Sequence, residues 1–555
     1  MNLPAAKTLF PAAPARPQTS LRWVRLRITL VAVAMLGLFG AIGAKAWKLQ
    51  IREGARMRSL GEAQYLQQVE VPAPRGSIFD RNGNELAVSV NGSSLKARPR
   101  EVANSAQTAK ALASILGLDA RELEGKLRSR RYELWIKRRL GPDEARAVGA
   151  LGLSGLDLVD EPRRFYPGRD LAGPLLGFAN IDGVGIEGLE LALDEKLRGK
   201  SSFLPALRDA RQRLLLTSGW EDAGTAGATV TLTIDRYLQF VTARALFDAV
   251  TTHKARAGIA LVLDPANGEI LAMAASPTFD PNAPEDRKDA RNRAVTDAFE
   301  PGSVMKVFSI AAAVEAGVVK PTDIIDIDGG KLQIGPKTIR DTHVGKTLLT
   351  VSEVLAVSSN VGAAKIARRL GKERLAELLR RFGFGATAGI ELPGERTGVV
   401  RDPKRWGEIG LATISFGYGL TVTPLQLGAA LAAVADGGTL RRPTLVKRIV
   451  GSDGAVLHEH TADLGARRIL SAESAMAIVA MMKAVMAPGG TADKIVIPGF
   501  VGAGKTGTAH KLDPQTRRYS NKYLSSFMGF VPADDPRLTI VVMIDEPGAG
   551  KYYGG

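Results

Sequence analysis

The sequence contains no cysteine among its 555 residues. Disulfide bonds, metal sites built on thiolates and cysteine nucleophiles are therefore excluded. The absence of cysteine suits an oxidising compartment outside the cytoplasm, although it does not by itself require one. No low-complexity tract dominates the chain, and the composition, with 45% hydrophobic and 24% charged residues, is that of a folded protein.

The chain also lacks the motifs that usually accompany nucleic-acid binding. Its formal net charge is +17, which favours contact with an anionic surface. However, no helix-turn-helix, zinc finger or aromatic RNA-binding motif is present, so nucleic acid is not an expected partner. The run His458-Glu459-His460 has the spacing of metal ligands, but it lies in a polar connecting segment, and neither a metal nor a cofactor is predicted.

No acidic residue precedes Glu53, whereas five basic residues lie within the first 27 positions. The uncharged segment Ile28–Ala44 follows them and would span about 26 Å as a helix at about 1.5 Å per residue. This pattern predicts a cytoplasmic tail over 1–26 and a transmembrane anchor over 27–47. The alternative is a signal peptide cleaved near Ala46, although Lys45 suits such a cleavage site poorly.

Beyond the anchor, the pattern predicts a helix over 47–68 and two domains, 48–225 and 226–555. Asn82-Gly83 and Asn267-Gly268 are hairpin turns between predicted strands. Long helical patterns run from about 303 to 320, 350 to 383 and 421 to 437. A last pair of strands covers "SSFMGFVPADDPRLTIVVMIDEP". We therefore expect an α+β fold in which the first and last strands of the second domain share one antiparallel sheet.

The segment "FEPGSVMK" places Ser303 and Lys306 three residues apart at the start of an apolar helix. At this spacing the hydroxyl and the amine share one helix face, and the helix N-terminus favours developing negative charge. Lysine can act as a base only if burial or a second cation lowers its pKa. Ser-x-x-Lys is weak evidence alone, because Ser93 and Lys96 match it too, without a helical pattern.

Two further segments supply what this chemistry needs. Ser358-Ser359-Asn360 offers a hydroxyl for proton relay and an amide for a substrate carbonyl. "GAGKTGTAH" reads as an edge strand, in which Lys505 is the second cation and the threonine hydroxyls of Thr506 and Thr508 bind a carboxylate. We expect Gly507 to leave room for substrate to approach the backbone. Ser-x-x-Lys, Ser-x-Asn and Lys-Thr-Gly in this order form a known catalytic signature.

These motifs, with "RGSIFDRNGNELA", "SFGYGLTVTPLQL" and "IDEPGAGKYYGG", make the sequence resemble the class B penicillin-binding proteins, most closely their division-specific FtsI or penicillin-binding protein 3 type. The resemblance implies an elongated, mixed pedestal (dimerisation-type) domain and a transpeptidase domain. In that domain an antiparallel sheet has helices on both faces and a helical subdomain. Relatives of this type continue beyond "YYGG" into a last helix, so the fold is expected to lack it.

The resemblance also implies a role for each motif residue. Ser303 would attack the penultimate D-Ala of a stem peptide, Lys306 would be its base, and Ser358 would pass the proton to the leaving amine. Lys505 would hold Ser358 and Lys306 electrostatically, and the N–H groups of Ser303 and Thr508 would form an oxyanion hole. The substrate-binding set implied by the resemblance is Asn360, Thr506, Gly507, Thr508, Tyr523, Tyr552 and Tyr553.

The implied function is D,D-transpeptidation of septal peptidoglycan, with β-lactams as inhibitors. The implied partners are stem peptides, β-lactams, an FtsW-type membrane glycosyltransferase and other division proteins. The implied location is the inner membrane at the septum, in a single pass with the bulk of the chain in the periplasm. Two alternatives stay open: a hydrolytic enzyme such as a D,D-carboxypeptidase or a β-lactamase, and a non-catalytic or β-lactam-sensing module.

Overall fold

The computed structural model describes residues 21–71, 73–208, 214–216, 224–287, 290–342, 346–513, 515–516 and 518–550. Within these ranges only the backbone is described for 60–71, 203–208 and 214–216. The chain divides into two compact units. The first comprises Met1–Val71 and Phe203–Ala223, and the second comprises Pro72–Ser202 and Gly224–Gly555.

The α-helices are numbered in chain order. They are α1 (Leu21–Trp47), α2 (Gly54–Tyr65), α3 (Ser105–Leu116), α4 (Ala120–Leu127), α5 (Pro142–Ala150), α6 (Gly173–Leu176), α7 (Gly188–Ala192), α8 (Asp194–Leu197), α9 (Arg236–Thr252), α10 (Arg293–Thr296), α11 (Met305–Glu315), α12 (Val351–Ala356), α13 (Asn360–Leu370), α14 (Lys372–Arg381), α15 (Glu408–Ser415), α16 (Pro424–Ala435) and α17 (Ala472–Met486).

The β-strands are numbered in the same way. They are β1 (Leu66–Val71), β2 (Ile78–Phe79), β3 (Glu85–Ala97), β4 (Leu134–Lys137), β5 (Leu156–Phe165), β6 (Ser202–Arg208), β7 (Leu214–Leu216), β8 (Thr229–Leu232), β9 (Ala257–Leu263), β10 (Ile270–Ser276), β11 (Ile324–Asp326), β12 (Lys331–Ile334), β13 (Lys337–Arg340), β14 (Leu348–Thr350), β15 (Thr439–Leu440), β16 (Val446–Val450), β17 (Val456–Glu459), β18 (Arg467–Arg468), β19 (Ala503–Leu512), β20 (Tyr519–Val531) and β21 (Leu538–Asp545).

The first unit contains α1, α2 and a three-stranded sheet in the order β1-β6-β7. None of the α1 residues is buried, and Leu21–Arg52 is long and apolar enough to cross a membrane. The prediction of a helix up to residue 68 is wrong at its end, because α2 stops at Tyr65 and Leu66–Val71 forms a strand. That strand pairs with β6, more than a hundred residues away along the chain, and a local pattern does not reveal such a partner.

A five-stranded antiparallel sheet forms the centre of the second unit, in the order β10-β9-β21-β20-β19. Leu261 of β9 is opposite Val541 of β21. The strands of this sheet that come first and last along the chain are therefore neighbours inside the sheet. This confirms the predicted α+β architecture. The same pairing leaves β19, which carries Lys505, at one edge of the sheet, as predicted from the sequence.

Helices cover both faces of this sheet. On one face, the side chains of Leu246 and Val250 in α9 lie against Gly258. On the other face, Gly428 of α16 lies against Leu263 and Val541. Helix α11 lies deep in the main hydrophobic core, and all its residues from Met305 to Ala313 are buried. The apolar helix predicted after Ser303 is therefore a central element of the core.

The long helical pattern over 350–383 is divided into the three helices α12, α13 and α14. The breaks fall at Ser358, whose φ is +61°, and at Gly371, whose φ is +88°. Neither conformation continues a right-handed helix. The first break places Ser358 in a bend between α12 and α13 instead of on a regular helix face.

A buried ion-pair cluster stabilises the segment 72–202 within the second unit. The carboxylate of Glu190 is completely buried and accepts hydrogen bonds from Arg75 Nε at 2.5 Å and Arg164 Nε at 2.7 Å. Arg75 also donates to Asp194 at 2.6 Å. Nearby, β2 pairs in parallel with β8, with Ile78 opposite Val230. The cluster therefore lies near the contact between β2, in segment 72–202, and β8, the strand that precedes α9 and the five-stranded sheet.

Candidate active site

Ser303 lies in a tight turn that packs against the edge strand β19. Gly302 precedes it with a φ of +61°, and the Gly302 N–H donates to the Gly417 carbonyl at 3.1 Å. A Cβ at position 302 would lie 2.9 Å from the Thr508 carbonyl oxygen and 3.2 Å from Ala509 Cβ. Only glycine meets both requirements, and it fixes the Ser303 hydroxyl at the start of α11.

The Lys306 amine lies at the centre of the three sequence motifs. Its Nζ is 3.0 Å from Ser303 Oγ, 3.0 Å from Ser358 Oγ, 2.6 Å from the Ser358 carbonyl oxygen and 2.8 Å from Asn360 Oδ1. The side chain is completely buried. Burial first, and then the positive charge of Lys505, lower the pKa of Lys306 well below its ordinary value, while Asp341 opposes them. A neutral amine at this position can accept the Ser303 proton.

Ser358 connects the two lysines. Its Oγ is 3.0 Å from Lys306 Nζ and 3.1 Å from Lys505 Nζ. Its backbone has a φ of +61°, which is uncommon for a residue other than glycine. Strained residues of this kind occur where the surrounding structure fixes them for a purpose. Here the bend directs both the hydroxyl and the carbonyl oxygen of one residue to the same lysine amine.

Lys505 reaches the cluster from the edge strand β19. It is completely buried, donates to the Thr506 carbonyl at 2.9 Å, and has its pKa lowered to about 7 by burial. The Thr506 hydroxyl donates to Thr491 Oγ1 at 3.0 Å. Thr508 is partly exposed on the same strand. The second cation that the base chemistry requires is therefore next to Lys306, as expected.

Gly507 makes a close packing contact that the sequence motifs do not reveal. A Cβ there would lie 2.5 Å from Ser526 Oγ and 2.9 Å from Val304 Cγ1. These atoms belong to the neighbouring strand and to the turn that carries the nucleophile candidate. The glycine is thus required for packing of the Ser303 turn against β19.

Asp341 is a site residue that the sequence motifs do not reveal. Its carboxylate accepts hydrogen bonds from Ser359 Oγ at 2.6 Å and from the backbone N–H groups of Asn360 at 2.6 Å and Val361 at 2.9 Å. It therefore holds the N-terminus of α13, where a negative charge is favourable. Asp341 follows an ordinary hairpin strand, and no spacing rule connects it with Ser359.

The structure describes one of the three tyrosines that the resemblance assigns to substrate binding. Tyr523 lies on β20 opposite His510, and the two rings are 4.5 Å apart. Both residues are next to the end of the Lys-Thr-Gly-Thr run. Tyr552 and Tyr553 lie outside the described residues.

The second Ser-x-x-Lys match has a different environment. Ser93 and Lys96 lie on strand β3, where a spacing of three places side chains on opposite faces. Ser93 donates to Asp160 at 3.3 Å, and Lys96 forms an ion pair with Glu133. This pair cannot act as a nucleophile and its base.

Ser303, Lys306, Ser358, Asn360 and Lys505 therefore form one connected cluster at the edge of the sheet. A serine hydroxyl beside a buried amine of lowered pKa, with a second lysine and a relay hydroxyl, is the arrangement of a serine acyltransferase that needs no metal. The fold and this cluster together define the class of active-site serine enzymes to which penicillin-binding proteins belong.

Comparison with known proteins agrees with this class. Residues 258–555 match the penicillin binding protein transpeptidase domain, and residues 70–232 match the penicillin-binding protein dimerisation domain. The chain is 37% identical to the probable peptidoglycan D,D-transpeptidase PenA of Neisseria meningitidis, over 95% of this chain and 90% of PenA. It is 35% identical to the peptidoglycan D,D-transpeptidase FtsI of Escherichia coli, over 99% of this chain and 92% of FtsI.

Solved structures give the same result. Penicillin binding protein 3 of Mycobacterium, in a crystal structure with aztreonam, superposes with a TM-score of 0.68 at 29% identity, covering 87% of this chain and 93% of that one. The chain belongs to the penicillin-binding protein family, in the class B, division-specific group that includes FtsI.

Proposed function

We propose that the protein is a peptidoglycan D,D-transpeptidase that cross-links stem peptides through an acyl-enzyme on Ser303 and is acylated by β-lactams. The observation that carries this proposal is the 3.0 Å contact between Ser303 Oγ and the fully buried Lys306 amine. The curated relatives FtsI and PenA are named as D,D-transpeptidases, which supports the same activity.

In the first half-reaction, Ser303 Oγ attacks the carbonyl carbon of the penultimate D-Ala and transfers its proton to the neutral Lys306 amine. The N–H groups of Ser303 and Thr508 stabilise the oxyanion, which is typically worth about 3–4 kcal/mol per donor. The C–N bond then breaks, and the proton taken up by Lys306 passes through Ser358 Oγ, 3.0 Å away, to the departing D-Ala amine. Lys306 is thereby neutral again. In a β-lactam the equivalent C–N bond opens the ring, so the leaving nitrogen stays attached to the acyl group.

In the second half-reaction, an amine of a neighbouring stem peptide attacks the ester carbonyl of the acyl-enzyme. Lys306 takes the amine proton and returns a proton to Ser303 Oγ as the ester bond breaks. A peptide cross-link and free Ser303 result. During both steps Asn360 holds the acyl-side amide. Thr506 and Thr508 bind the carboxylate of the terminal D-Ala in the first half-reaction, until that D-Ala leaves. Gly507 and Tyr523 border this cleft, and we propose that Tyr552 and Tyr553 complete it.

We also propose that the domains are a cytoplasmic tail (1–26), a membrane anchor (27–47), a pedestal (48–225) and a transpeptidase domain (226–555). The apolar helix α1 supports a single membrane pass. The basic residues before it favour a cytoplasmic N-terminus, which places the catalytic domain in the periplasm. The FtsI relationship supports the inner membrane at the division septum and an FtsW-type glycosyltransferase as partner.

The experiment incubates the full-length protein with a donor peptide ending in D-Ala-D-Ala and an amine acceptor, and separates the products by mass spectrometry. A transpeptidase yields the cross-linked product in a proportion that rises with acceptor concentration. Mostly free-acid product would instead indicate a carboxypeptidase. Absence of either product, with penicillin still bound, would indicate a sensing module.

A further inference from the structure

A hairpin made of β12 and β13 lies directly beside the active-site cluster. The carbonyl oxygen of Arg340, the last residue of β13, accepts a hydrogen bond from Asn360 Nδ2 at 3.0 Å. The other polar atom of this amide, Asn360 Oδ1, accepts a hydrogen bond from Lys306 Nζ at 2.8 Å. One asparagine side chain therefore connects the hairpin with the lysine that acts as the base.

The hairpin is anchored by one face and presents the other face to solvent. Leu332, Ile334 and Ile339 are buried in the main hydrophobic core. Successive residues of a strand point to opposite faces, so Lys331 and Arg340 lie on the face away from the core, and both are exposed. The core contacts fix the backbone that carries these two cations next to Asn360.

Lys331 and Arg340 are directly opposite each other in the ladder of the hairpin. Like charges in this position repel each other and destabilise the pair of strands. Among the residues that the structure describes, neither side chain has a carboxylate within 4.0 Å. The acids close to them along the chain are engaged elsewhere, since Asp341 accepts hydrogen bonds from the N-terminus of α13 and Asp328 pairs with Lys365. An anionic group bound between the two cations would relieve their repulsion.

The hairpin and the edge strand β19 lie at opposite ends of one series of contacts. The series runs from Lys505 on β19 through Ser358 and Lys306 to Asn360 and Arg340. In the proposed reaction the donor peptide uses the β19 end, because its carboxylate binds to the threonines of that strand. The hairpin end is therefore free for another part of the reaction.

The second half-reaction requires a second peptide in the cleft. Its amine must reach the ester carbonyl on Ser303 while Lys306 is close enough to take the amine proton. This acceptor is itself a stem peptide, so it carries a C-terminal carboxylate as well as the attacking amine. The acyl group already occupies the β19 side at this stage, and the two unpaired cations on the hairpin are a site of opposite charge on the other side.

We propose that Lys331 and Arg340 bind the C-terminal carboxylate of the acceptor stem peptide. The guanidinium of Arg340 and the ammonium of Lys331 donate charge-assisted hydrogen bonds to the carboxylate, and these bonds orient the acceptor with its amine toward the Ser303 ester. This site deepens the proposed transpeptidase function and rests on it, because a hydrolytic enzyme has no peptide acceptor.

The test uses peptides in which each molecule has only one role. The donor is a pentapeptide that ends in D-Ala-D-Ala and has its amines acetylated, so it cannot act as an acceptor. The acceptor is acetyl-lysyl-D-Ala, made with a free C-terminal carboxylate or as the C-terminal amide. For the full-length wild type, we expect KM for the carboxylate acceptor to be at least about tenfold lower than for the amide, because the amide leaves both cations unpaired.

The variants remove one charge at a time. Arg340→Gln and Lys331→Gln should each raise KM for the carboxylate acceptor about tenfold, with little change in kcat, and leave the amide acceptor unaffected. Penicillin acylation and donor hydrolysis without an acceptor should stay as in wild type. The thermal unfolding midpoint should stay the same or rise slightly, since a repulsive pair is removed. Lys337→Gln is the matched control, an exposed lysine of the same strand on the face of Ile339, and it should change none of these quantities.

The outcomes keep this site distinct from the activity itself. An equal KM for the two acceptors, or an unchanged KM in both glutamine variants, would overturn the carboxylate site and leave the transpeptidase function standing. A raised KM for the donor, in place of the acceptor, would overturn it as well and assign the carboxylate to the donor. Free acid as the only product of wild type with either acceptor would refute the proposed function, and the site with it.

Discussion

Lys306 Nζ and Ser303 Oγ are 3.0 Å apart, and Lys306 is completely buried. The lysine can take the serine proton only when it is neutral, and burial together with the charge of Lys505 favours that form by lowering its pKa well below the ordinary value. Its neighbour Lys505 has the opposite requirement, because its charge is needed to hold Ser358 and to lower the pKa of Lys306.

The first prediction concerns the pH dependence of acylation. The rate should rise with pH as Lys306 loses its proton, and fall again as Lys505, with a pKa of about 7, loses its own. Stopped-flow acylation by a chromogenic β-lactam between about pH 5 and pH 9 should therefore give a bell-shaped profile. Near-UV circular dichroism at each pH controls for unfolding, and a flat profile in the folded protein would contradict these assignments.

The second prediction concerns Asp341→Asn. Removing this negative charge leaves the protonated form of Lys306 less stable, so its pKa falls further. The rising limb of the acylation profile should then move to lower pH. The weaker contact with the N-terminus of α13 should also cost about 1–2 kcal/mol of stability.

Asp328→Asn is the control for this variant, since Asp328 forms an ion pair with Lys365 on a nearby surface. It should leave the profile in place. A purely structural role for Asp341 would lower the rate at every pH without moving the limb, and that result would disprove the electrostatic role.

The third prediction compares two glycines at the two ends of the Ser303 helix. Gly302 has a φ of +61° and no room for a Cβ, whereas Gly317 has a φ of +66° and no atom within 4 Å of the position that a Cβ would occupy. Gly317→Ala should cost about 1–2 kcal/mol from its backbone conformation alone and leave acylation intact. Gly302→Ala should cost more and slow acylation at least about tenfold, because the turn must move away from β19.

Thermal unfolding and the acylation rate of the two variants provide the comparison. Equal effects of the two substitutions on both quantities would show that contact between the Ser303 turn and β19 has no part in positioning the nucleophile.

The fourth prediction concerns the buried Glu190 cluster. Glu190→Gln leaves Arg164 buried without a counter-charge and leaves Arg75 paired with Asp194 alone, which should destabilise the protein by about 3–5 kcal/mol. The exposed Glu195, which forms no ion pair within the described ranges, is the control, and Glu195→Gln should be nearly neutral. A small shift in the thermal unfolding midpoint for Glu190→Gln would contradict a stabilising role for the cluster.

Much of the sheet and of the motif cluster could be predicted from the sequence. The turns at Asn82-Gly83 and Asn267-Gly268 lie between the expected strands, β2 with β3 and β9 with β10. The helix after Ser303 has an apolar pattern that local rules recognise, although it ends at Glu315, earlier than expected. These features depend on residues that are neighbours along the chain, so local rules are sufficient for them.

The features that could not be predicted depend on distant contacts. Strand β1 forms because β6 pairs with it, and Asp341 matters because folding brings it to Ser359, 18 residues away. The packing reason for Gly507 requires Val304 and Ser526 to meet at β19.

The most direct measurement of the central claim is covalent labelling of the full-length protein by a fluorescent penicillin, with the labelled peptide identified by mass spectrometry. The account predicts one adduct, on Ser303, which is lost in Ser303→Ala and retained in Ser93→Ala, the matched serine of the second Ser-x-x-Lys pair. Labelling that persists in folded Ser303→Ala, or wild-type protein that takes up no label, would contradict it.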